Sequence, residues 1–572
     1  MKVETVSAVS LSTHARLDSR YFLAPGIKAA ERVARAKARG IPCVLLGGDK
    51  GIARIWQPTR FSKVEASPRE DQVGYLRPYD VFEYLPRAAD FVSAKRSGDI
   101  ERCKLRRGTI MQSCSGRNLG PAAFVDNYLT KFVIGGDMIR IDIDDHDLRC
   151  YVLAYLQSET GQQLLTQGKT GSVIDHLSKA HIARVEIPLF EHEARAAITH
   201  AMSEAIRLRE EARLTLDSAL AQYEQSLPRA KRTKPEKEGW TIRAKQLTGR
   251  LDAAFYDPLV ANVRKRLAAQ GGLPVASVAK VLKPGGRYKT LYVEAEYGRP
   301  VLSGAQLLQV RPINLRYMPA PAFKNPAAYE LRTGWIAYQA DGRAEDALGF
   351  PVMITSDRDR WLASGHVGRV INNSDVDAGW LYLAVRNWAA QIQLKASASG
   401  SVVDSTFPWD MESVILPPRD SVDGKAIQEA WEKFARAQRS EDQAKSLVEQ
   451  SLIGGVLDYD FAPRLSQPVS SLELEFRELV DKWRKDTQHT SSIKKMIAHP
   501  SYKRIIEMGR DVLPLLFREL NARGDHWIVA LNAITGEDPA SENATFTEAV
   551  DAWLAWGQEK GYLPQSVSKP RT

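Results

Sequence analysis

Four aspartates and a histidine fall within seven residues in the string IDIDDHD, Ile141–Asp147. Such a cluster has the oxygen donors that a divalent cation wants. Acidic residues also close many strands, and the later stretch INNSDVD (Ile371–Asp377) matches this one with fewer carboxylates. The cluster therefore reads as a strand-end loop, and no metal is assigned to this chain. The string LLGGDKG (Leu45–Gly51) has glycines and a lysine but lacks the G-x-x-x-x-G-K-[ST] spacing that wraps phosphates. It reads as a turn. An adenine methyltransferase needs a [DNS]-P-P-[YF] loop around an extruded base; YDPL at Tyr256 and FPWD at Phe407 are the nearest strings. No H-x-x-x-H pair carries the glutamate of a zincin. The four cysteines, Cys43, Cys103, Cys114 and Cys150, form no C-x-x-C pair and read as buried or inert thiols in a reducing compartment. The residues thus point away from catalysis.

His176 has the chemistry of a general base, but it lies in a phrase that the chain writes twice. GSVIDHL (Gly171–Leu177) returns 229 residues later as GSVVDST (Gly400–Thr406), with Ser405 in place of the histidine. A polar loop or cap residue is the better reading. The surroundings repeat in the same order. Arg16-Leu17-Asp18 with Tyr21-Phe22 answers Arg250-Leu251-Asp252 with Phe255-Tyr256. LRRGTIMQSCSGR (Leu105–Arg117) answers LRTGWIAYQADGR (Leu331–Arg343). Gly136, Arg140 and Pro188 answer Gly365, Arg369 and Pro417, and EQSL occurs at Glu224 and again at Glu449. The offsets stay between 225 and 234 residues, so the chain is a tandem duplication. Solenoid repeats run only about 20–50 residues; each copy here is a whole domain with an appendage.

The elements that must position these residues follow from periodicity. Runs such as CVLLGG, GTIMQS, KFVIGG and MIRIDID, and in the second copy GWIAYQ and ESVILP, have the composition of short strands. YVLAYLQSETGQQLLTQ and WLYLAVRNWAAQIQLKA read as helices between them. Each copy is therefore mixed α/β. The appendage is different. Glu191–Ser226 contains no Gly or Pro and carries an apolar stripe at Ile198, Met202, Leu216 and Tyr223, close to a 3.5-residue repeat. A helix of that length spans about 54 Å. Gly424–Leu452 carries a similar stripe at Ile427, Phe434 and Val448, interrupted by Glu441. Two such helices are expected to pair antiparallel.

The net charge is +10, which favours an anionic partner, nucleic acid first. The densest basic run, RAKRTKPEK (Arg229–Lys237), reads as a solvated linker. No secretory signal or membrane-length apolar run is expected, which places the chain in the cytoplasm. Beyond Gly454 lies a segment of helical composition. Trp483, Trp527, Trp553 and Trp556 imply a core of its own, and Asp525-His526-Trp527 and Ile534-Thr535-Gly536 read as caps.

The order of body, VEIP strand, long helix, second body, ILPP strand and second long helix resembles the specificity subunit of type I restriction–modification systems. GSVIDHL and GSVVDST resemble the G-[ST]-x-x-x-x-L region of that family's target recognition domains, and SKAHIARVEIPLF resembles its run into the spacer helix. The resemblance spans about residues 10–455, and Ser405-Thr406-Phe407 departs from His176-Leu177-Ser178. It implies an α/β (mixed α+β) fold of two tandem target recognition domains separated by two long antiparallel spacer helices, with an all-α C-terminal domain added. The expected boundaries are 1–190, first recognition domain; 191–228, first spacer helix; 229–239, linker; 240–420, second recognition domain; 421–455, second spacer helix; 456–470, linker; and 471–572, helical domain.

The same resemblance implies a non-catalytic subunit that reads a bipartite target on double-stranded DNA. Two DNA methyltransferase subunits would be its partners, with S-adenosylmethionine bound on them and no cofactor in this chain. A restriction, translocase or other defence subunit would dock further, with the C-terminal domain as one place for it. Phosphates are met by Lys, Arg and amides, and base edges by Arg, Lys, Asn and Gln. The candidates are Arg106, Arg107, Gln112, Ser115, Arg117, Asn118, Lys169 and Thr170 in the first copy. In the second they are Lys283, Arg287, Tyr288, Lys289, Gln339, Arg343 and Lys395. The alternatives from other classes are a self-sufficient endonuclease and a transcriptional regulator on the same fold.

Overall fold

A computed structural model describes residues 25–59, 62–67, 71–88, 90–116, 119, 121–167, 175–227, 240–284, 291–319, 325–400, 402–419, 422–454, 471–487, 493–523, 526–541 and 544–562. It divides into two units, Met1–Leu465 and Ser466–Thr572. Of the candidate residues, Arg117, Asn118, Lys169, Thr170, Arg287, Tyr288 and Lys289, and with them both expected linkers, lie outside the described residues.

In the first body, α1 (Pro25–Ala38) precedes β1 (Cys43–Leu45), β2 (Arg54–Trp56), β3 (Gln72–Tyr75) and β4 (Asp90–Ser93). Then come β5 (Ile110–Ser113), β6 (Ser115–Gly116), β7 (Ala123–Phe124), β8 (Phe132–Val133) and β9 (Met138–Asp142). Helices α2 (His146–Gln157) and α3 (Glu159–Gln167), strands β10 (Asp175–His176) and β11 (Glu186–Pro188), and the long helix α4 (His192–Gln225) complete it. The second body repeats the plan. It has α5 (Pro258–Ala269), β12 (Leu273–Pro274), β13 (Ala279–Leu282), β14 (Arg299–Leu302) and β15 (Arg316–Met318). It continues with β16 (Ile336–Gln339), β17 (Asp341–Gly342), β18 (Pro351–Met353), β19 (Leu362–Ala363) and β20 (Val367–Asn372). It closes with α6 (Ala378–Arg386), α7 (Trp388–Ser397), β21 (Asp404–Ser405), β22 (Ile415–Leu416) and the long helix α8 (Gly424–Ile453).

Every described sheet has its double. The four-stranded order β2-β9-β5-β7 returns as β13-β20-β16-β18, and the three-stranded β4-β3-β8 as β15-β14-β19. The ribbons β10-β6 and β1-β11 return as β21-β17 and β12-β22. The shared residues explain the shared path. Gly108 and Gly334 both hold φ above +80°, at 92° and 82°, in the left-handed region that glycine enters without strain. Arg140 and Arg369 are buried in equivalent strands, and burial pushes both guanidinium groups down to about 10. Arg140 donates to the carbonyls of Arg102, Cys103, Lys104 and Ile134 and lies over the Trp56 ring, which ties two sheets together. Arg369 donates to the Glu330 carbonyl.

The expected single helices of the bodies are each two. The first breaks at Ser158, whose hydroxyl accepts from Gly161, and the second at Asn387, whose amide oxygen accepts from Ala389 and Ala390. A side-chain acceptor at an N-cap competes with helix continuation, so each cap starts a new helix. α2 is apolar on nearly every face and is buried from Cys150 to Leu156.

α4 has 34 residues and α8 has 30, or about 51 and 45 Å. They pack antiparallel: the first half of α4 meets the second half of α8 in one core, and the remaining halves meet in the other. Ile198, Met202, Leu216, Tyr223, Ile427, Phe434 and Val448 are all buried in these cores. Glu441 does not end the helix. Its buried carboxylate takes Arg209 from α4 at 2.7 Å and Arg311 from the second body. Burial alone would raise that carboxyl, but Arg311, Arg209 and Lys445 hold it well below the usual range. One expectation is corrected here. The helices do not hold two separated bodies apart; they run beneath both, because each body needs a half of each helix to close its core.

The second unit's described elements are all helices: Ser471–Thr487, Ile493–Ile497, Pro500–Glu507, Leu513–Arg523, Ile528–Thr535 and Phe546–Glu559, besides one 3-10 turn. Trp483, Tyr502, Trp527 and Trp553 are buried in its core, and Trp527 stacks on Tyr502 at 5.3 Å. Trp556 is half-buried beside them. Gly536 closes its helix with φ 76°, and Asp525 lies outside the described residues. No helix among the described residues is long and apolar enough to cross a membrane.

Candidate nucleic-acid interface

The repeated phrase ends in a short antiparallel ribbon. In the first body, Asp175 and His176 pair with Gly116 and Ser115, and Leu177 donates to the Cys114 carbonyl at 2.9 Å. In the second, Asp404 and Ser405 pair with Gly342 and Asp341, and Thr406 donates to the Ala340 carbonyl at 2.8 Å. Each ribbon prolongs a central strand, β5 or β16, past the edge of its sheet.

The two ribbons are latched differently. In the first, His176 Nδ1 lies 3.1 Å from Ser115 Oγ, and Gln57 Nε2 donates to Cys114 Sγ at 3.3 Å and to the Gly136 carbonyl. Burial pushes the Cys114 thiol up. In the second, Lys283 stands where Gln57 stood. Its Nζ donates to Asp341 Oδ1 at 2.7 Å and to the Thr406 carbonyl at 2.9 Å. His366 Nδ1 lies 2.5 Å from Asp341 Oδ2. Burial would raise the Asp341 carboxyl, but hydrogen bonds from Lys283, His366 and Ser405 hold it below its ordinary value. One fold thus carries two different latches, Gln57 on a thiol in the first ribbon and Lys283 on a carboxylate in the second.

The candidate residues separate by exposure. Arg106 and Arg343 are both exposed; Arg343 directly follows its ribbon strand β17, whereas Arg106 precedes β5 at the end away from the first ribbon. Ser115 is half-buried and engaged with His176. Four others engage the protein itself. Gln112 is 0 % exposed within β5 and cannot reach a ligand. Arg107 is held by the Glu210 carboxylate of α4 at 3.1 Å. Gln339 fills the space beside Gly304 and Gly342 and donates to the Asp341 carbonyl. Lys395 donates to the Asp346 carbonyl and lies over the Phe350 ring; burial, then the charge of Arg87, lowers it to about 8. Lys283 belongs to the latch. In each case a side chain polar enough to meet DNA meets the protein's own carboxylates and carbonyls, which spacing along the chain does not reveal.

Sequence reasoning missed an exposed aromatic pair. Phe407 and Trp409 stack at 4.6 Å and 8°, with Trp409 61 % exposed and Lys283 5.3 Å from the Phe407 ring. The equivalent residues of the first body are Ser178 and Ala180. The signal was the string FPWD, whose two aromatics straddle a proline directly after the repeated phrase.

The acidic string has structural occupations. Asp142 accepts from Thr109 at 2.8 Å and from the Trp56 indole at 2.5 Å, and Asp145 caps α2 through the Leu148 N–H. Asp377 caps α6 in the same way. Among the described residues, no group of three or more His, Cys, Asp or Glu is placed to hold a metal ion.

No protein-family model matches the sequence. No curated relative matches it either. Among solved structures the chain is similar to the type I restriction–modification S subunit from M. genitalium, at 11% identity and TM-score 0.24, over 72% of this chain and 96% of that one. It is similar to the HsdS subunit from Thermoanaerobacter tengcongensis at 10% identity and TM-score 0.22, over 72% of this chain and 100% of that one. A further similarity is to a structure described for complex assembly and conformational transition of the type I R-M system, at 11% identity and TM-score 0.23, over 70% of this chain and 99% of that one. At these scores no residue role is carried across; the duplicated bodies carry the reading that follows.

Proposed function

We propose that the chain is a DNA-reading subunit in which each body reads one half of a bipartite target and the pair directs partner methyltransferase subunits to it. The observation that carries this is the duplication itself: two bodies share every described sheet yet differ at their ribbons. Two readers of one design with different surfaces suit a long ligand with two different half-sites. Major-groove faces recur about every 34 Å along a duplex, within the reach of helices about 45–51 Å long. Residues 240–420 hold twenty-two Lys and Arg against sixteen Asp and Glu, a net charge of +6 that suits a phosphate backbone.

In this reading α4 and α8, which run beneath both bodies, are the docking surface for two methyltransferase subunits. S-adenosylmethionine binds on those partners, and the chain itself neither cuts nor methylates. The helical second unit docks a further defence component.

Methylation sequencing of the host genome with and without this gene tests the reading. Loss of methylation at one bipartite motif with a fixed gap is expected. Replacing residues 108–175 by another recognition body should then alter only one half of that motif. Survival of every methylated motif after deletion would overturn the proposal, as would strand cleavage by the purified chain.

A further inference from the structure

The two bodies touch through more than the helices. An arm of the first body, Phe82–Tyr84, lies antiparallel to Leu308–Val310 of the second. Tyr84 donates to the Leu308 carbonyl at 2.9 Å, and Val310 donates to the Phe82 carbonyl at 2.8 Å. The Tyr84 ring is 2 % exposed and sits in the second body's core, edge-on to Trp431 and Phe434 of α8 at 5.2 and 4.9 Å. Buried arginines lock the arm from both sides. Arg213 of α4 donates to the Glu83 and Tyr84 carbonyls and pairs with Asp126 at 2.7 Å. Arg358 of the second body donates to the Leu307, Gln309 and Val310 carbonyls, and its guanidinium lies 4.8 Å from the Tyr84 ring. Gln438 of α8 donates to the Val310 carbonyl at 2.6 Å.

We infer that this joint, and not helix length alone, sets the gap between the half-sites. The inference rests on the bipartite DNA-reading function proposed above. One added base pair moves a half-site by about 3.4 Å and rotates it by about a tenth of a turn. Rejecting such a target requires two bodies fixed in both distance and twist. A pair of helices bends gently over its length; an arm hydrogen-bonded at both edges, with its ring in the other body's core, stops both motions. Tyr84, Arg213 and Arg358 are positioning residues for gap length and touch no base.

The test uses the full chain with its methyltransferase partners and duplexes carrying the methylated motif at its native gap and at gaps one and two base pairs shorter or longer. Tyr84→Ala and Arg358→Leu should reduce the preference for the native gap by about tenfold or more, of the order of one base-pair mismatch. Affinity for a single half-site should stay within about twofold of the wild type. Ile187→Ala, in the first body's core away from the joint, controls for lost stability and should keep the gap preference. Spin labels on Arg54→Cys and Lys265→Cys, in a Cys43→Ser background, should give one narrow distance distribution that broadens with Tyr84→Ala. An unchanged gap preference or an unchanged distribution in a folded Tyr84→Ala chain overturns the inference. A wild type that binds half-sites with no gap preference overturns it while leaving DNA reading intact. A wild type that binds no duplex overturns the functional reading, and this inference with it.

Discussion

Asp341 shows how one residue can set the chemistry of a ribbon. Its carboxylate draws Lys283, His366 and Ser405 onto the second ribbon, whereas the first ribbon has a Ser115–His176 contact and Gln57 on the Cys114 thiol. Asp341→Asn leaves the Lys283 ammonium, 11 % exposed, short of its carboxylate. Such losses destabilise by about 1–3 kcal/mol. Binding of one half-site should weaken and the other should not, which competition with half-site mutants measures. The folded value of Asp341 is depressed. Its contribution is therefore present above its unfolded value of about 3.9 and is lost as pH falls through the lower folded value. Acid titration should open the second ribbon in the wild type and show no such step in Asp341→Asn; hydrogen exchange at Thr406 reads this. Trp409 makes a separate prediction. It is exposed, so Trp409→Ala should leave the thermal midpoint within about 0.5 kcal/mol equivalent. A fall of about tenfold in duplex affinity, the order of one good contact, would place the pair on the DNA; an unchanged affinity removes it.

Among elements, α4 and α8 bear the most. Their seam is apolar at both ends and polar in the middle, where Arg209 pairs with Glu441 across the helices while Glu210, Arg213 and Gln438 are buried against the bodies. Buried ion groups stabilise little against apolar substitutes, but removing one partner leaves the rest uncompensated. Glu441→Gln should thus destabilise the first unit by about 3–5 kcal/mol, because Arg209 and Arg311 lose their shared carboxylate. Ile198→Ala or Val448→Ala should act by cavity formation, at about 2–5 and 1–3 kcal/mol. Urea midpoints distinguish the two mechanisms. The Glu441→Gln deficit should shrink as pH falls and the wild-type carboxylate protonates, and the cavity deficit should not.

At the scale of the whole molecule the net charge of +10 predicts strong salt dependence. A DNA reader that neutralises several phosphates loses roughly 10³–10⁵ in affinity between about 50 and 200 mM salt when six to ten contacts are made. A shallow slope would argue for few phosphate contacts and against the bipartite reading. The second unit has its own aromatic core. Ending the chain at residue 465 should therefore leave duplex affinity and the urea midpoint of the first unit unchanged. A lost midpoint would mean that the helical unit stabilises the first one and is not a separate docking module.

The duplication, the mixed α/β bodies and both long helices were legible along the chain. Each rests on local signals: period-two strands, an apolar stripe every 3.5 residues, and collinear matches such as Gly108 with Gly334 and Arg140 with Arg369. Such patterns survive in one dimension because backbone geometry repeats over a few residues. The candidate site was legible only in part. Arg106 and Arg343 are exposed, but Gln112, Arg107, Gln339 and Lys395 engage groups up to about a hundred residues away or the core. Composition marked Glu441 as an interruption, and only the arrival of Arg311 from the second body made it a keystone. The Tyr84 arm carries no sequence signature, since its partners are carbonyls and a ring from another body. What the chain's order decides is which elements form. What only tertiary structure decides is which charges remain unpaired, because burial and pairing depend on neighbours that sequence distance does not encode.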